Sequence, residues 1–463
     1  MANQHVHLIG IGGISMSGIA KILLIKGYKV SGSDIKNSTT IKKLKNRGAE
    51  IRIGHDSKYL KKWGKPDSVV ISNAINDDNP ELKMAQKLGV KIYQRAEMIA
   101  ELMKDKKTIA VSGTHGKTTT TGLIASILQN NDRFAPSVML GGQLPSLGGN
   151  IKVGKGDYFI TEADESDGSF LFFDPYLTVI TNVELEHLDY YTNEEKLLKT
   201  FKKFILNTDK SGKTVVCAED KTINNLININ DEKVLSYGFN NGKLQAKNIN
   251  YLPFGSLYEV EFNNKKLGEI NLQIPGSYNI LNSLAATATG LYLGMSFTEI
   301  KKGIENFNGI KRRFEKKGLI EDVLVVDDYA HHPTEIKETL KAAINTGYDR
   351  IVVVFQPHRY SRTKYLFKEF CNSFSNADRL IITDVYSADE TLENEKDRFL
   401  AKNMAEKCSK IYNFKVTYLE KLSEIPDYLN NIVKSRDLVI TIGAGDIYKS
   451  GEELVEIMRN DSK

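Results

Sequence analysis

The feature that most constrains the fold is a repeated alternation of short apolar runs with longer helical stretches, which extends over nearly all 463 residues. Such runs are typical of buried strands in parallel sheets, and the stretches between them are typical of crossover helices. A chain of this length exceeds one hydrophobic core. The pattern therefore predicts an α/β protein of three domains, at 1–105, 106–310 and 311–463. Strands are expected at 5–9, 29–32, 68–72, 91–93, 108–112, 158–161, 178–181, 214–217, 323–326, 351–355, 380–383 and 438–442, antiparallel hairpins within 233–274, and a helix from 279 to about 293.

Composition narrows the range of partners. Apolar residues make up 41% of the chain and charged residues 26%, as in an ordinary globular protein. The net charge of +5 is spread along the chain and does not indicate nucleic acid. No apolar run reaches the roughly 18 residues of a membrane helix, and Cys217, Cys371 and Cys408 form neither a disulfide framework nor a metal pattern. We expect a cytoplasmic protein, monomeric or dimeric, without nucleic-acid or membrane partners.

A glycine-containing turn after the strand at 108–112 is the strongest sign of function. Glycines let successive N–H groups face one anion, Lys117 adds a positive charge, and the Thr118 hydroxyl is a ligand for Mg²⁺. Val111 stands where the standard P-loop has its first glycine, but an apolar helix follows the turn as expected. The turn predicts nucleoside triphosphate binding, with Lys117 an exposed cation whose removal leaves the fold intact. Its residues are Gly113, Thr114, His115, Gly116, Lys117, Thr118 and Thr119.

A second glycine-rich turn follows the first strand. Its glycines precede Ser15, which stands at the third glycine position of the dinucleotide fingerprint. Asp34 ends the next strand, where a dinucleotide site has its ribose-binding acid. The turn suits the pyrophosphate of a UDP-sugar or of NAD(P), or it is a tight structural turn, and Ser15 counts against NAD(P). The candidate UDP-sugar residues are Gly10, Gly12, Gly13, Ser15 and Asp34.

Acidic residues and a histidine follow two strands of the middle predicted domain. Glu162 and Glu165 come after one strand, and His187 lies shortly beyond the next. In a parallel sheet the carboxyl ends of the strands face the ligand crevice. Carboxylate and imidazole groups there would join Thr118 as Mg²⁺ ligands. The sequence predicts Glu162 and His187 as metal ligands, with Glu165 as the alternative to Glu162.

In the last predicted domain, polar residues likewise follow two strands. Arg359 and Arg362 stand three apart at such a strand end. Two guanidinium groups so placed suit a carboxylate or a phosphate, and the alternative is a surface basic patch. The candidates that follow these two strands are Asp328, Tyr329, His331, His358, Arg359 and Arg362.

The order of these motifs resembles the ATP-dependent Mur ligases over essentially the whole chain. The resemblance implies a Rossmann-like N-terminal domain for a UDP-sugar, a central P-loop-type ATPase domain with a mainly parallel sheet, and a Rossmann-like C-terminal α/β domain for an amino acid. It implies ATP and Mg²⁺ as cofactors. UDP-N-acetylmuramate and L-alanine would be joined through an acyl phosphate, a step of peptidoglycan precursor synthesis for the cell wall. The segments that carry the resemblance are 10–18, 113–119, 162–167, 275–279, 311–314, 327–333 and 356–362.

The resemblance also implies roles for single residues. Tyr278 departs from the family, which commonly has histidine before the asparagine. Rival interpretations are a ligase of the same family that adds another amino acid or a peptide, an NAD-dependent oxidoreductase with an ATPase domain, and a nucleotide-gated binding protein without bond-forming chemistry. The implied roles are ATP and Mg²⁺ for Lys117, Thr118, Glu162 and His187, adenine for Asn279 and Asn282, ribose for Asp328, phosphates for Arg313, and alanine with the acyl phosphate for Tyr329, His331, His358, Arg359 and Arg362.

Overall fold

The computed structural model describes residues 4–72, 74–186, 190–388, 390, 392 and 394–461. These residues form three sheets and two compact units. The first unit holds 1–246, 260–268 and 281–307, and the second holds 247–259, 269–280 and 308–463. Among the described residues, no helix is long and apolar enough to cross a membrane.

The first sheet is parallel throughout, with strand order β3-β2-β1-β4-β5. The order reverses beside β1, which pairs with β2 on one side and β4 on the other. A reversal of this kind opens a crevice at the carboxyl ends of the strands, where ligands of α/β proteins bind. The elements are β1 (His5–Ile9), α1 (Ile14–Ile25), β2 (Lys29–Asp34), α2 (Thr39–Asn46), β3 (Glu50–Ile53), α3 (Lys58–Lys62), β4 (Ser68–Ile71), α4 (Pro80–Lys87), β5 (Lys91–Gln94) and α5 (Arg95–Met103).

The second sheet has ten strands in the order β15-β14-β13-β12-β11-β10-β6-β9-β7-β8. Its centre is parallel, because β6 pairs in parallel with both β10 and β9, whereas β7 and β8 are antiparallel. The elements are β6 (Lys107–Ser112), α6 (Lys117–Gln129), β7 (Ser137–Leu144), β8 (Gly149–Lys152), β9 (Tyr158–Glu162), β10 (Leu177–Ile180), α7 (Glu194–Leu206), β11 (Lys213–Cys217), α8 (Lys221–Leu226), β12 (Val234–Gly238), β13 (Leu244–Leu252), β14 (Gly255–Phe262), β15 (Lys265–Leu272), α9 (Ser277–Tyr292) and α10 (Phe297–Glu305).

The third sheet has the order β16-β17-β21-β18-β19-β20, parallel except for the antiparallel edge strand β16. Alternate residues of β18 belong to two different cores, Val353 to one and Val352 to the other, so apolar groups cover both faces of the sheet. The elements are β16 (Glu315–Ile320), β17 (Val323–Asp328), α11 (Pro333–Ile344), β18 (Arg350–Phe355), α12 (Tyr360–Tyr365), α13 (Phe367–Cys371), β19 (Arg379–Thr383), α14 (Leu400–Ile411), β20 (Lys415–Leu419), α15 (Ile425–Asn430), β21 (Asp437–Ile442) and α16 (Tyr448–Asp461).

One part of the predicted topology is wrong. Antiparallel hairpins were expected within 233–274, but its first strand, β12, runs parallel to β11 and, over two residue pairs, to β13; the expected hairpins among β13, β14 and β15 stay a prediction. Alternation of polar and apolar residues reports that one face of a strand is buried, and it carries no information on the direction of the neighbouring strand.

Candidate active site

The predicted phosphate turn, residues 113–116, lies between β6 and α6 at the centre of the second sheet. Gly113 and Gly116 have φ values of 129° and 82°, a region that glycine enters without a steric cost. A Cβ on Gly113 would stand 2.2 Å from Thr181 Oγ1. The loop after β10 holds the turn from the other side, because His115 N–H donates to Asn182 Oδ1 at 2.8 Å and the Thr181 hydroxyl donates to His115 O. The curled backbone is therefore fixed by a neighbouring strand end.

Lys117 begins α6 and bends back over the turn. Its ammonium group donates to the carbonyl oxygens of Gly113 and Thr114 and lies 2.8 Å from Glu165 Oε1. The Lys117 side chain is only 17% exposed and that of Glu165 2%. The expectation of an exposed cation is therefore wrong, because a carboxylate 48 residues away in the chain buries and pairs it.

Burial and pairing oppose each other at this ion pair. Burial alone would lower the pKa of Lys117, but the carboxylates of Glu165 and Asp164 outweigh it and raise that pKa. Burial raises the pKa of Glu165 to about 7, against the pull of Lys117. The carboxylate therefore depends on the lysine to remain charged at neutral pH.

Glu162 is the acid that lies beside Thr118. The Thr118 hydroxyl donates to Glu162 Oε2 at 3.0 Å, and Gly141 N–H donates to Oε1 at 2.6 Å. A hydroxyl and a carboxylate oxygen next to a phosphate turn are hard donors of the kind that Mg²⁺ prefers, so the residues present fit this ion. Glu165 contacts Lys117 instead, which favours Glu162 over its alternative. The other predicted ligand, His187, lies outside the described residues.

The remaining residues around this turn extend the same cluster. Asn282 Oδ1 accepts from the Thr120 hydroxyl at 3.1 Å, and a Cβ on Gly116 would stand 2.6 Å from the same oxygen. The Asn282 side chain therefore contacts the turn, and its expected contact with adenine stays a prediction. Thr119 is buried in the first turn of α6.

The glycine turn of the first sheet lies at the point where the strand order reverses. Gly12 N–H donates to Asp34 Oδ2 at 2.8 Å, and a Cβ on Gly12 would stand at the same distance from that oxygen. Gly10 has φ 80°, and Gly13 caps α1, whose first turn contains Ser15. The structure thus brings the five predicted sugar-nucleotide residues together.

In the second unit, Asp328 is buried and its two oxygens accept from Phe314 N–H and Ala330 N–H at 2.8 and 2.7 Å. Burial raises the pKa of Asp328 to about 6, although Arg313 opposes the shift. These bonds fix two loops against each other, and a ribose contact of Asp328 stays a prediction.

The Arg313 guanidinium lies 5.1 Å from the centre of the Tyr329 ring. The Asn279 side chain donates to Pro275 O, so its contact with adenine also stays a prediction.

The predicted amino-acid residues gather at the carboxyl edge of the third sheet. The rings of Tyr329 and His331 are 5.4 Å apart, those of His331 and His358 5.9 Å, and Arg362 Nη1 lies 3.3 Å from His358 Nδ1. Burial lowers the pKa of His358 to about 3, and His331 and the nearby arginines add to the effect. His358 is therefore a neutral imidazole beside the permanently charged guanidinium of Arg362.

Arg359 has a strained backbone. Its φ is 66°, a value that residues with a Cβ rarely adopt. Two hydrogen bonds hold it, from Arg359 N–H to Tyr386 O at 2.8 Å and from Tyr386 N–H to Pro357 O at 2.9 Å. The Tyr386 ring also stacks on His358 at 5.6 Å. Sequence reasoning missed Tyr386, although its position just after β19, at the same edge of the sheet, is a signal that would have found it.

Gly445 completes this edge. A Cβ on Gly445 would stand 2.5 Å from Gln356 Oε1 and 2.6 Å from Tyr386 Cγ. Glycine is required at this position by the close approach of two neighbouring loops. The strained arginine, its imidazole neighbour and Tyr386 thus form one tightly packed cluster.

Comparisons with known proteins agree with this architecture along the whole chain. The model of the Mur ligase family, catalytic domain, matches residues 5–107, that of the Mur ligase middle domain matches 111–290, and that of the Mur ligase, glutamate ligase domain matches 312–445. The chain belongs to the Mur ligase family. Both the resemblance seen in the sequence and the expected three-domain α/β fold are thereby confirmed, while the domain boundaries at 105 and 310 stay predictions.

Individual relatives narrow the comparison further. The UDP-N-acetylmuramate–L-alanine ligase of Desulforamulus reducens is 44% identical over 98% of this chain and 98% of its own, and that of Clostridium tetani is 46% identical over 97% of both. Among solved structures, the UDP-N-acetylmuramate-alanine ligase MurC of Thermotoga maritima has a TM-score of 0.83 and 31% identity, over 99% of this chain and 100% of that chain.

Proposed function

We propose that this protein is an ATP-dependent ligase that joins L-alanine to the carboxylate of UDP-N-acetylmuramate, a cytoplasmic step of peptidoglycan precursor synthesis. The observation that carries the proposal is full-length similarity, above 40% identity, to relatives that are named for this activity. The geometry of the first unit supports the ATP-dependent part, because a glycine turn, a lysine and a hydroxyl–carboxylate pair meet at one strand end.

Activation of the muramate carboxylate is the first chemical step. A carboxylate oxygen attacks the γ-phosphorus of ATP, the bond to the bridging oxygen breaks, and ADP leaves, which gives an acyl phosphate. Bound Mg²⁺ would offset the negative charge that accumulates between the phosphates. Thr118 and Glu162 would hold the ion, and Lys117 would place a second positive charge at the same turn.

Capture of alanine is the second step. The neutral amine attacks the acyl carbon, and the tetrahedral intermediate expels phosphate. Either Arg359 or Arg362 would bind the alanine carboxylate, and the other would face the acyl phosphate. The strained backbone of Arg359 supports this assignment, because strain of this kind persists where the surrounding structure fixes a functional side chain. Tyr329, His331 and His358 would line the same amino-acid site.

A phosphate-release assay tests the function. Enzyme, ATP and Mg²⁺ are combined with UDP-N-acetylmuramate and, in turn, L-alanine, glycine, L-serine, D-glutamate or a preformed peptide. We expect L-alanine to give the highest kcat/KM, and Lys117→Met to abolish release with every acceptor. A higher kcat/KM with D-glutamate or a peptide would assign the protein to another member of the family, and release that does not require UDP-N-acetylmuramate would refute the ligase.

A further inference from the structure

Arg95 lies between the two glycine turns of the first unit. It is the first residue of α5, and the preceding Gln94 caps that helix together with Glu97. A cation at the first helical position meets the positive end of the helix dipole, where acidic residues are preferred. Helix stability therefore does not explain an arginine here, and the explanation has to come from what its guanidinium contacts.

The guanidinium lies between Ser15, at the sugar-nucleotide turn that follows β1, and Asp164, in the acidic run 162–167 that begins at the end of β9. Arg95 Nη1 lies 3.5 Å from Ser15 Oγ, and Nη2 lies 3.7 Å from Asp164 Oδ2. Both contacts are long for charged groups. Arg95 Nε is buried and has no hydrogen-bond partner among the described residues. A guanidinium has five N–H donors, so most of its capacity remains for a third, anionic group.

Helix α5 packs against elements of both the N-terminal and the central domain. It packs against α1, which follows the sugar-nucleotide turn, and against the short helical turn Ser169–Phe172, which follows the acidic run. Asp164 is adjacent in sequence to Glu165, the partner of Lys117. A bound ligand that shifts the Arg95 side chain would therefore also change the arrangement of charges beside the phosphate turn.

We propose that Arg95 is a further binding residue for the sugar nucleotide, which holds an anionic group of that substrate beside Ser15 and, through Asp164, couples its binding to the ATP site. The proposal rests on the proposed function, since it takes UDP-N-acetylmuramate as the substrate. The substrate carries two anionic groups that a guanidinium recognises, its pyrophosphate and its muramate carboxylate.

Calorimetry on the full-length protein tests the binding role with UDP, UDP-N-acetylglucosamine and UDP-N-acetylmuramate. Arg95→Met should weaken UDP-N-acetylmuramate binding by about 10- to 100-fold, the range expected for a lost charged hydrogen bond, and Arg95→Lys should weaken it less. An equal loss for all three ligands assigns the contact to the pyrophosphate. A loss confined to UDP-N-acetylmuramate assigns it to the carboxylate, and unchanged affinity for all three overturns the proposal.

Two matched variants separate this role from a loss of structure. Arg133 belongs to the same unit but donates to the carbonyls of Leu293 and Gly294, so Arg133→Met should leave all three affinities unchanged. Asp164→Asn keeps the shape of the acid and tests the coupling. With the wild type, UDP-N-acetylmuramate should change the affinity for a non-hydrolysable ATP analogue, and in Asp164→Asn and in Arg95→Lys that change should shrink. An undiminished change in both variants overturns the coupling.

Failure of this inference can be distinguished from failure of the proposed function. If the wild type does not bind UDP-N-acetylmuramate, the proposed function fails and the role of Arg95 with it. If the wild type binds and ligates but the Arg95 variants keep its KM for the sugar nucleotide, only the inference fails. A rise in that KM at nearly constant kcat is the expected result.

Discussion

Replacing Lys117 with alanine removes the cation that pairs a buried carboxylate. Breaking a buried ion pair by removing one partner costs about 3–5 kcal/mol, and we expect about 3 kcal/mol here because water still reaches part of the lysine. Each kcal/mol shifts the melting temperature of a domain of 150–250 residues by about 2–4 °C, so the thermal transition of the part of the protein that contains Lys117 should fall by about 6–12 °C. Ligation should be lost as well, since the charge at the phosphates is removed.

Differential scanning calorimetry at pH 8 measures this loss, and the double variant Lys117→Ala/Glu165→Gln is the control. The second substitution removes the unpaired buried charge. It should therefore recover at least half of the fall in transition temperature, while activity stays absent. At pH 5 the single variant should be less destabilised, because burial already raises the pKa of Glu165 to about 7 and the protonated carboxyl needs no cation. An unchanged transition at pH 8, or a double variant less stable than the single one, would refute the argument.

Four further substitutions test other parts of the molecule. Gly12→Val should weaken sugar-nucleotide binding in calorimetry by at least about tenfold, because its side chain would displace the Asp34 carboxylate; unchanged affinity would make the turn purely structural. Arg359→Lys and Arg362→Lys keep the charge but lose the two-donor fork, so one should raise the KM for alanine by about 10- to 100-fold and the other should mainly lower kcat; unchanged alanine kinetics in both would place the amino-acid site elsewhere. Burial lowers the pKa of His5 from 6.5 to about 4, so the unfolded chain takes up the proton first and stability falls as pH drops across that window, by up to about 3 kcal/mol. Urea titrations should show a smaller fall for His5→Gln, and equal falls would contradict the pKa shift.

The sequence predicted those parts of the fold that continuous apolar runs encode. The central strands β1, β6, β18 and β21 were found because both of their faces are buried, which leaves an uninterrupted apolar signal. The edge strands β3, β16 and β20 were missed because few of their residues are fully buried and their composition is mixed.

Site residues could be predicted only where their chemical role follows directly from the local sequence. Glycine turns at strand ends identified the two candidate phosphate-binding turns. The burial of Lys117 could not be foreseen, because it depends on Glu165 from a different strand end. The strain at Arg359 likewise depends on a backbone contact with Tyr386, 27 residues further along (386 − 359). Contacts of this kind are set by the tertiary fold, and no local pattern in the sequence reports them.

In the proposed reaction, the muramate carboxylate is activated by phosphate transfer and then captured by L-alanine. The most direct test uses UDP-N-acetylmuramate labelled with a heavy oxygen isotope in that carboxylate, incubated with ATP, Mg²⁺ and L-alanine, followed by mass spectrometry of the phosphate and of the sugar nucleotide. We predict that the released phosphate carries one labelled oxygen and that the sugar nucleotide gains one alanine through an amide bond. Unlabelled phosphate, or a sugar nucleotide without added alanine, would contradict the account.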